Sequence, residues 1–322
     1  MIEYRTFRNY DPPHLLRLWS TAGLGRGAAN GISVDAFDHV NFAQPYFDPQ
    51  GIIVAVDGDT PVGFAHAGFG CNEDCSDLSR NQGVICAVVV DPSYRLQGIG
   101  CELLSRAESF LLQQGAGVIS AGGAAPHDPF YFGLYGGSQP SGFLQSDLNA
   151  EPFFKKCGYS PGESYTVFQR DVTNARDPVD FQLNLIRRKT KLEITDQPDQ
   201  PNWWWYTRIA RLDSLRFSLV PKSGGDSFAS VNVVGLDFFL PSWNARAIGL
   251  TDLVVNEDVR KKKYGLALLV EVMRRLRNEM VSCIDAHVAS SNEAGLKLFQ
   301  SAGFVEVDTG SVYRKLPETI DI

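Results

Sequence analysis

Apolar residues follow two alternating rhythms along this chain. Short, nearly continuous runs at Gly51 to Asp57, Val62 to Phe69 and Val84 to Val90 have the pattern of buried strands. The first two flank Asp57-Gly58-Asp59-Thr60, whose Asp-Gly dipeptide marks a hairpin turn. Ile2 to Tyr10 and Val118 to Ser120 are further predicted strands. Helical spacing runs through His14 to Ala22, opened by Pro12-Pro13, and through Ser33 to Phe42 with Ser33 as N-cap. It returns after Gly98, where Leu103, Leu104, Ala107, Phe110 and Leu111 share one face. The predicted order is β-α-α-β-β-β-α-β.

The later half repeats part of this order. Asp213 to Val220 and Phe228 to Phe239 are predicted strands around a Ser223-Gly224-Gly225 turn. Ala247 to Val255 is a strand, Tyr264 to Met280 a helix, Cys283 to Ala289 a strand, Asn292 to Ala302 a helix, and Phe304 to Leu316 strand-like. The repeat has a constant offset of 165 residues, which sets Val90 on Val255, Arg95 on Arg260, Gly100 on Gly265 and Leu103-Leu104 on Leu268-Leu269. The expectation is two α/β domains, 1–173 and 180–322, joined by the polar segment from Thr173 to Asp180.

Composition narrows the class. A length of 322 residues suits two domains, and 44% hydrophobic with 21% charged residues suits packed cores. No apolar run reaches the roughly 18 residues of a membrane helix, and the start at Met1 to Arg5 is unlike a signal peptide. A cytoplasmic protein with no membrane partner is expected. A net charge of -7 argues against a nucleic-acid partner and favours cationic amines. The cysteines at 71, 75, 86, 101, 157 and 283 include one C-x-x-x-C pair with no second pair or His cluster, so free thiols rather than a metal site are expected.

The chemistry concentrates at Arg95-Leu96-Gln97-Gly98-Ile99-Gly100, between an apolar strand and a helix start. Such a loop aims backbone N–H groups and a helix N-terminus at one point, which suits an anion such as a pyrophosphate. Arg95 would add positive charge, and the glycines would let phosphates approach closely. A plain tight turn is the alternative. No Walker string occurs, and a G-x-G-x-x-G reading fails at Leu103.

At this point the chain resembles the GNAT superfamily of N-acetyltransferases. Arg95, Gly98 and Gly100 match that family's [Q/R]-x-x-G-x-[G/A] loop. The resemblance implies a mixed, mostly antiparallel sheet flanked by helices in each copy. It implies acetyl-CoA as cofactor, held by Val88, Val89 and Val90 and by the loop residues Arg95, Leu96, Gln97, Gly98, Ile99 and Gly100. In the second copy the corresponding residues are Val255, Arg260 and Gly265, but Lys263 stands where the glycine is expected. Lys263 could there reach a phosphate itself. The stretch from Asn292 to Phe304 looks like the family's N-x-x-A-x-x-L-Y-x-x-x-G-F, with the alanine shifted by one place, which implies that Asn292 stands near the cofactor's acyl arm. Many relatives carry a tyrosine that protonates the leaving thiolate; Phe154 and Phe299 stand there instead.

The long segment from Gly122 to Asp147 contains His127 to Gly137 and reads either as a lid or acceptor wall, or as an aromatic plug over the sheet or a contact between domains. In the first case Tyr131 or Tyr135 would replace the missing acid. Trp203-Trp204-Trp205 reads as core or domain interface, with a stacking platform for adenine or a sugar as the alternative. The function expected is direct acetyl transfer to a primary amine, small-molecule or peptide. A non-catalytic CoA-binding sensor or assembly module is the alternative.

Overall fold

Antiparallel strands need only a turn between them, whereas a parallel pair needs a crossover, usually a helix. Each half of this chain contains one such crossover. The computed structural model describes all residues except 197, 199–200, 210–211 and 316–322, so Leu316, the predicted end of the last strand, lies outside the described residues.

Contacts divide the chain into two compact units. Of the described residues, the first holds those of 1–136, 140–164 and 309–315, and the second those of 137–139 and 165–308. This differs from a single cut near 173–180. The strand that ends each sequence copy, Tyr159–Asp171 in the first and Val305–Lys315 in the second, begins in one unit and ends in the other.

In the first unit the strands are β1 (Ile2–Thr6), β2 (Ile52–Asp57), β3 (Thr60–Cys71), β4 (Leu78–Val90), β5 (Val118–Ala121), β6 (Phe143–Leu144) and the first part of β7 (Tyr159–Asp171). Its helices are α1 (Pro12–Thr21), α2 (Val34–Asn41), α3 (Ile99–Gln113) and α4 (Ala150–Lys156). Strands β1 to β4 form an antiparallel meander. Helix α3 then crosses over, and β5 lies parallel to β4 from Gln82↔Val118 to Ile85↔Ala121. The chain's last strand closes this unit antiparallel to β5, at Tyr313↔Ala121. The apolar face of α3 (Leu103, Leu104, Ala107, Phe110, Leu111) packs on Ala55, Ala65, Ala67 and Ile85 of the sheet. Strand β4 starts at Leu78 rather than Val84, because its polar first rungs pair with the end of β3 at Cys71. Apolar periodicity cannot register rungs of that kind.

The second unit adds α5 (Phe181–Lys189), β8 (Thr190–Thr195), α6 (Trp203–Arg208), β9 (Ser214–Pro221), β10 (Ala229–Gly235), α7 (Leu240–Trp243), β11 (Ala247–Val255), α8 (Tyr264–Asn278), β12 (Cys283–Ala289), α9 (Glu293–Ser301) and the first part of β13 (Val305–Lys315). Its strands β8 to β11 are again an antiparallel meander. After α8, β12 lies parallel to β11, and β12 pairs antiparallel with β7. The last parallel pair, Leu250↔Ala286, stands 165 residues beyond Ile85↔Ala121. The predicted strand from Phe228 to Phe239 is shorter, because the chain turns at Leu236 into a 3₁₀ turn and α7. Helix α5, strand β8 and helix α6 had no predicted counterpart. Among the tryptophans of α6, Trp204 is buried, while Trp203 and Trp205 are half-buried.

Candidate functional site

The loop between β4 and α3 adopts a conformation that glycine makes easy. Gly98 is the N-cap of α3 in the left-handed region (φ 86°), and Leu96 is left-handed as well (φ 61°), with its side chain fully exposed. The helical ladder begins with Glu102 N–H donating to Gly98 O at 3.1 Å. The amides of Ile99, Gly100 and Cys101 therefore lie ahead of the ladder, at the positive end of a 15-residue helix. A side chain on Gly100 would press its Cβ to 3.0 Å from the Phe153 ring, so α4 lies close here because residue 100 is a glycine.

The second loop repeats this backbone. Lys261 (φ 61°) and Lys263 (φ 64°) stand where Leu96 and Gly98 do, and Ala267 N–H donates to Lys263 O at 2.9 Å. The lysine thus holds a left-handed conformation that costs roughly 1 kcal/mol in a non-glycine residue. Its ammonium does not lean out toward an incoming phosphate; it pairs with Asp180, the N-cap of α5. Arg260 donates to Val255 O at 3.3 Å and pairs with Glu257 at 2.9 Å.

Arg95 is likewise occupied. It donates to Val90 O at 3.1 Å and to the carbonyl of Ala22, so it ties the end of β4 to the end of α1. The free cation expected from the sequence is instead a staple that also lines the site.

A cleft of about 320 Å³ opens beside this loop. It begins where β5 stops: past Ile85↔Ala121, β4 continues to Val90 with β3 on one edge only. A β-bulge at Cys86 accompanies the divergence. The cleft is lined by Val88, Val89, Val90, Arg95, Leu96, Gly98 and Gly100, and opposite them by Phe143, Phe153 and Phe154. Gln97 and Ile99 belong to the same loop but are not among the cleft-lining residues. Arg95 and Lys156 outnumber the single lining carboxylate, Asp147, so the cleft suits an anion. Sequence reasoning missed Asp147, an isolated acid in a loop. Burial raises its pKa, while Arg95 and the Asn149 amide pull the other way.

The two tyrosines proposed as acids are elsewhere, and neither lines the cleft. Tyr131 is buried with its ring stacked on Trp19 at 5.0 Å, and its hydroxyl lies 3.1 Å from Nδ1 of His66. Burial holds its pKa well above the ordinary value. The Tyr135 hydroxyl accepts from Leu144 N–H at 3.0 Å. The segment that carries them packs across β3, with Phe130 against Gly68 and His127 against Gly70, where any side chain would collide. Of the two readings of this segment, the geometry is that of the plug. Phe154 is buried against Phe143 and Tyr313 and offers no proton. In the second unit Asn292 uses its side-chain oxygen to cap α9, accepting from Gly295 N–H at 2.9 Å.

The plug gives a pH test. His66 is fully buried under Phe130 (ring centroids 4.0 Å apart), and burial lowers its pKa to about 3. The unfolded chain takes up this proton near pH ~6.5. The stability His66 contributes is therefore fully present above that pH and declines as pH falls toward its folded value, by about 1.4 kcal/mol per pH unit. Urea titrations between pH 6.5 and 4.5 should show wild type losing stability faster than His66→Gln by about that slope. Equal slopes would mean that the folded state protonates His66.

Among the described residues no helix is long and apolar enough to cross a membrane, and no three His, Cys, Asp or Glu side chains are grouped to hold a metal.

Residues 30–133 and 184–304 match the sequence model of the acetyltransferase (GNAT) family. No curated protein matches the chain. Among solved structures, a tandem GNAT protein from the clavulanic acid biosynthesis pathway is similar over 99% of this chain and 100% of its own, at TM-score 0.68 and 16% identity. The glucosamine N-acetyltransferase region of a fungal multi-domain β-N-acetylglucosaminidase is similar over 98% of this chain and 38% of that one, at TM-score 0.71 and 16% identity. A GCN5-related N-acetyltransferase from Sphaerobacter thermophilus is similar over 98% and 95%, at TM-score 0.64 and 15% identity.

Proposed function

The chain belongs to the acetyltransferase (GNAT) family, and on that premise we propose that its first unit binds acetyl-CoA and transfers the acetyl group to a primary amine. The observation that carries this reading is the left-handed Gly98 loop beside the 320 Å³ cleft of the first unit. The second loop shares the backbone, but its Lys263 is tied to Asp180.

The residues present fit the cofactor. The amides of Ile99, Gly100 and Cys101 would donate to its phosphates, and the missing side chains of Gly98 and Gly100 would leave them room. The apolar wall of Val88, Val90 and Phe153 takes its uncharged arm. The bound cofactor supplies a thioester carbonyl for the amine to attack. The edge of β4 beyond Ile85, which β5 leaves uncovered, would offer a backbone N–H to polarise that carbonyl. The amine must be neutral to attack. A C–N bond forms as the C–S bond breaks. With phenylalanine at 154 and neither Tyr131 nor Tyr135 lining the cleft, the proton shed by the amine would be the one that reaches the leaving sulfur.

Calorimetric titration should give one equivalent of acetyl-CoA per chain, retained in Lys263→Ala. Turnover should then be found in a panel of primary amines. Glucosamine belongs in that panel, because the fungal region of the same fold is a glucosamine N-acetyltransferase. No binding at millimolar acetyl-CoA would sink the reading. Binding without turnover of any amine would favour a non-catalytic CoA-binding module, which the buried Phe154 and Phe299 also support.

A further inference from the structure

Two cysteines meet at the edge of the cleft. Cys101, in the first turn of α3, lines it, and Cys157 is the C-cap of α4. They are 56 residues apart in sequence, yet their sulfurs stand 3.3 Å apart. Both are free thiols. The sulfurs need close by only a little over 1 Å to reach the ~2.05 Å of a disulfide.

We propose that Cys101 and Cys157 form a reversible disulfide with a low-molecular-weight disulfide as oxidant, and that this bond closes the cleft to acyl-CoA.

The consequence follows from what lies between the two helices. The Phe153 ring already sits so near Gly100 that a Cβ there would be at 3.0 Å, and the ring itself lines the cleft. Drawing the first turn of α3 toward the end of α4 leaves that ring no room on the helix side, so it must move into the cleft. The same shift moves the Gly100 and Cys101 amides, whose placement a bound phosphate requires. The other close pair, Cys71 and Cys75 at 3.4 Å, lies four residues apart at the β3–β4 hairpin turn, and its closure would constrain only that turn.

The exchange balances without another reactant. The Cys101 thiolate attacks one sulfur of the small disulfide, the S–S bond breaks, and one small thiol leaves with the proton that Cys101 released. Cys157 then loses its proton and attacks the Cys101 sulfur of the mixed disulfide, expelling the second small thiol. Two protein thiols are oxidised by two electrons, and one small disulfide is reduced to two thiols. Burial raises the Cys157 pKa to about 12 and so makes it a poor initiator, which fits the cleft-facing Cys101 reacting first.

The cross-link is independent of the proposed function, whereas its effect on acyl-CoA rests on that reading. The test incubates full-length protein with oxidised glutathione, maps disulfide-linked peptides by mass spectrometry, and titrates acetyl-CoA before and after oxidation. The expected result is a Cys101–Cys157 peptide and at least tenfold weaker binding, both reversed by a thiol reductant. Cys157→Ser should bind like reduced wild type and be insensitive to the oxidant. Absence of the linked peptide, or its presence with unchanged affinity, would overturn the proposal. If reduced wild type binds no acetyl-CoA, the acyl-CoA reading falls, and the linked peptide alone decides whether the pair is a disulfide site.

Discussion

Gly98→Asp should weaken acetyl-CoA binding at least a hundredfold while leaving the protein folded. The introduced Cβ meets no heavy atom within 4 Å, so no packing is lost. The left-handed backbone at φ 86° costs a non-glycine residue roughly 1 kcal/mol, and Lys263 shows the equivalent loop closing with a side chain in place. The carboxylate, however, would stand beside the helix-start amides proposed to hold phosphate. Losing one or two charge-assisted hydrogen bonds at about 1.5–3 kcal/mol each, with like-charge repulsion added, amounts to at least two decades of affinity. Gly98→Asn separates the terms, since it keeps shape and backbone cost without the charge; it should lose tenfold or less. If calorimetry finds Gly98→Asp binding like wild type, the phosphate is not held at this loop.

The second large effect concerns stability. Asp285→Ala should destabilise the second unit by about 3–5 kcal/mol, as expected when one partner of a buried charged network is removed. Asp285 is fully buried in β12. Its carboxylate accepts from Ser138 N–H at 2.9 Å and from the Gln169 amide at 3.0 Å, and His287 Nε2 lies 3.2 Å away. Alanine would leave the buried Ser138 N–H and the half-buried Gln169 amide without their acceptor. Burial alone would raise the Asp285 pKa, but His287 and these hydrogen bonds bring it below the ordinary carboxylate value. Its folded pKa is depressed, so its contribution is present above the unfolded value of ~3.9 and is lost as pH falls through the folded one. Thermal melting near neutral pH should show a drop of roughly 10 °C in the transition of the second unit. A loss under 1 kcal/mol would mean that solvent reaches the network.

Parts of this architecture were legible because they are local. The apolar strands and the helices after Gly98 and Lys263 depend on residues a few positions apart, and the 165-residue repeat shows because each copy carries the same local pattern; the Asn292 cap came only with the structure. The Gly98 loop was legible for the same reason, since a left-handed φ is a preference of the residue itself. The roles of individual side chains were less so. Tyr131 and Tyr135 looked available as acids because an aromatic loop gives no sign of what it packs on, and Gly68 and Gly70 on β3 seat that loop as a plug. Arg95 and Lys263 looked like phosphate ligands because charge in a sequence does not reveal that a carbonyl 73 residues away or a carboxylate 83 residues away already claims it.

By itself, the sequence determined that this is a two-copy α/β chain with the same strand–loop–helix pattern in each copy and a complete glycine pattern in the first. The tertiary structure alone decided which strands complete which unit: residues 165–171 pair in the second, and residues 309–315 join the first. It alone brought Cys101 to Cys157 and Asp285 to Ser138. The physical reason is that periodicity and backbone preference report how much of a residue is buried and how its own chain turns. Which distant strand or thiol it meets depends on long-range packing, and neighbouring residues carry no record of that.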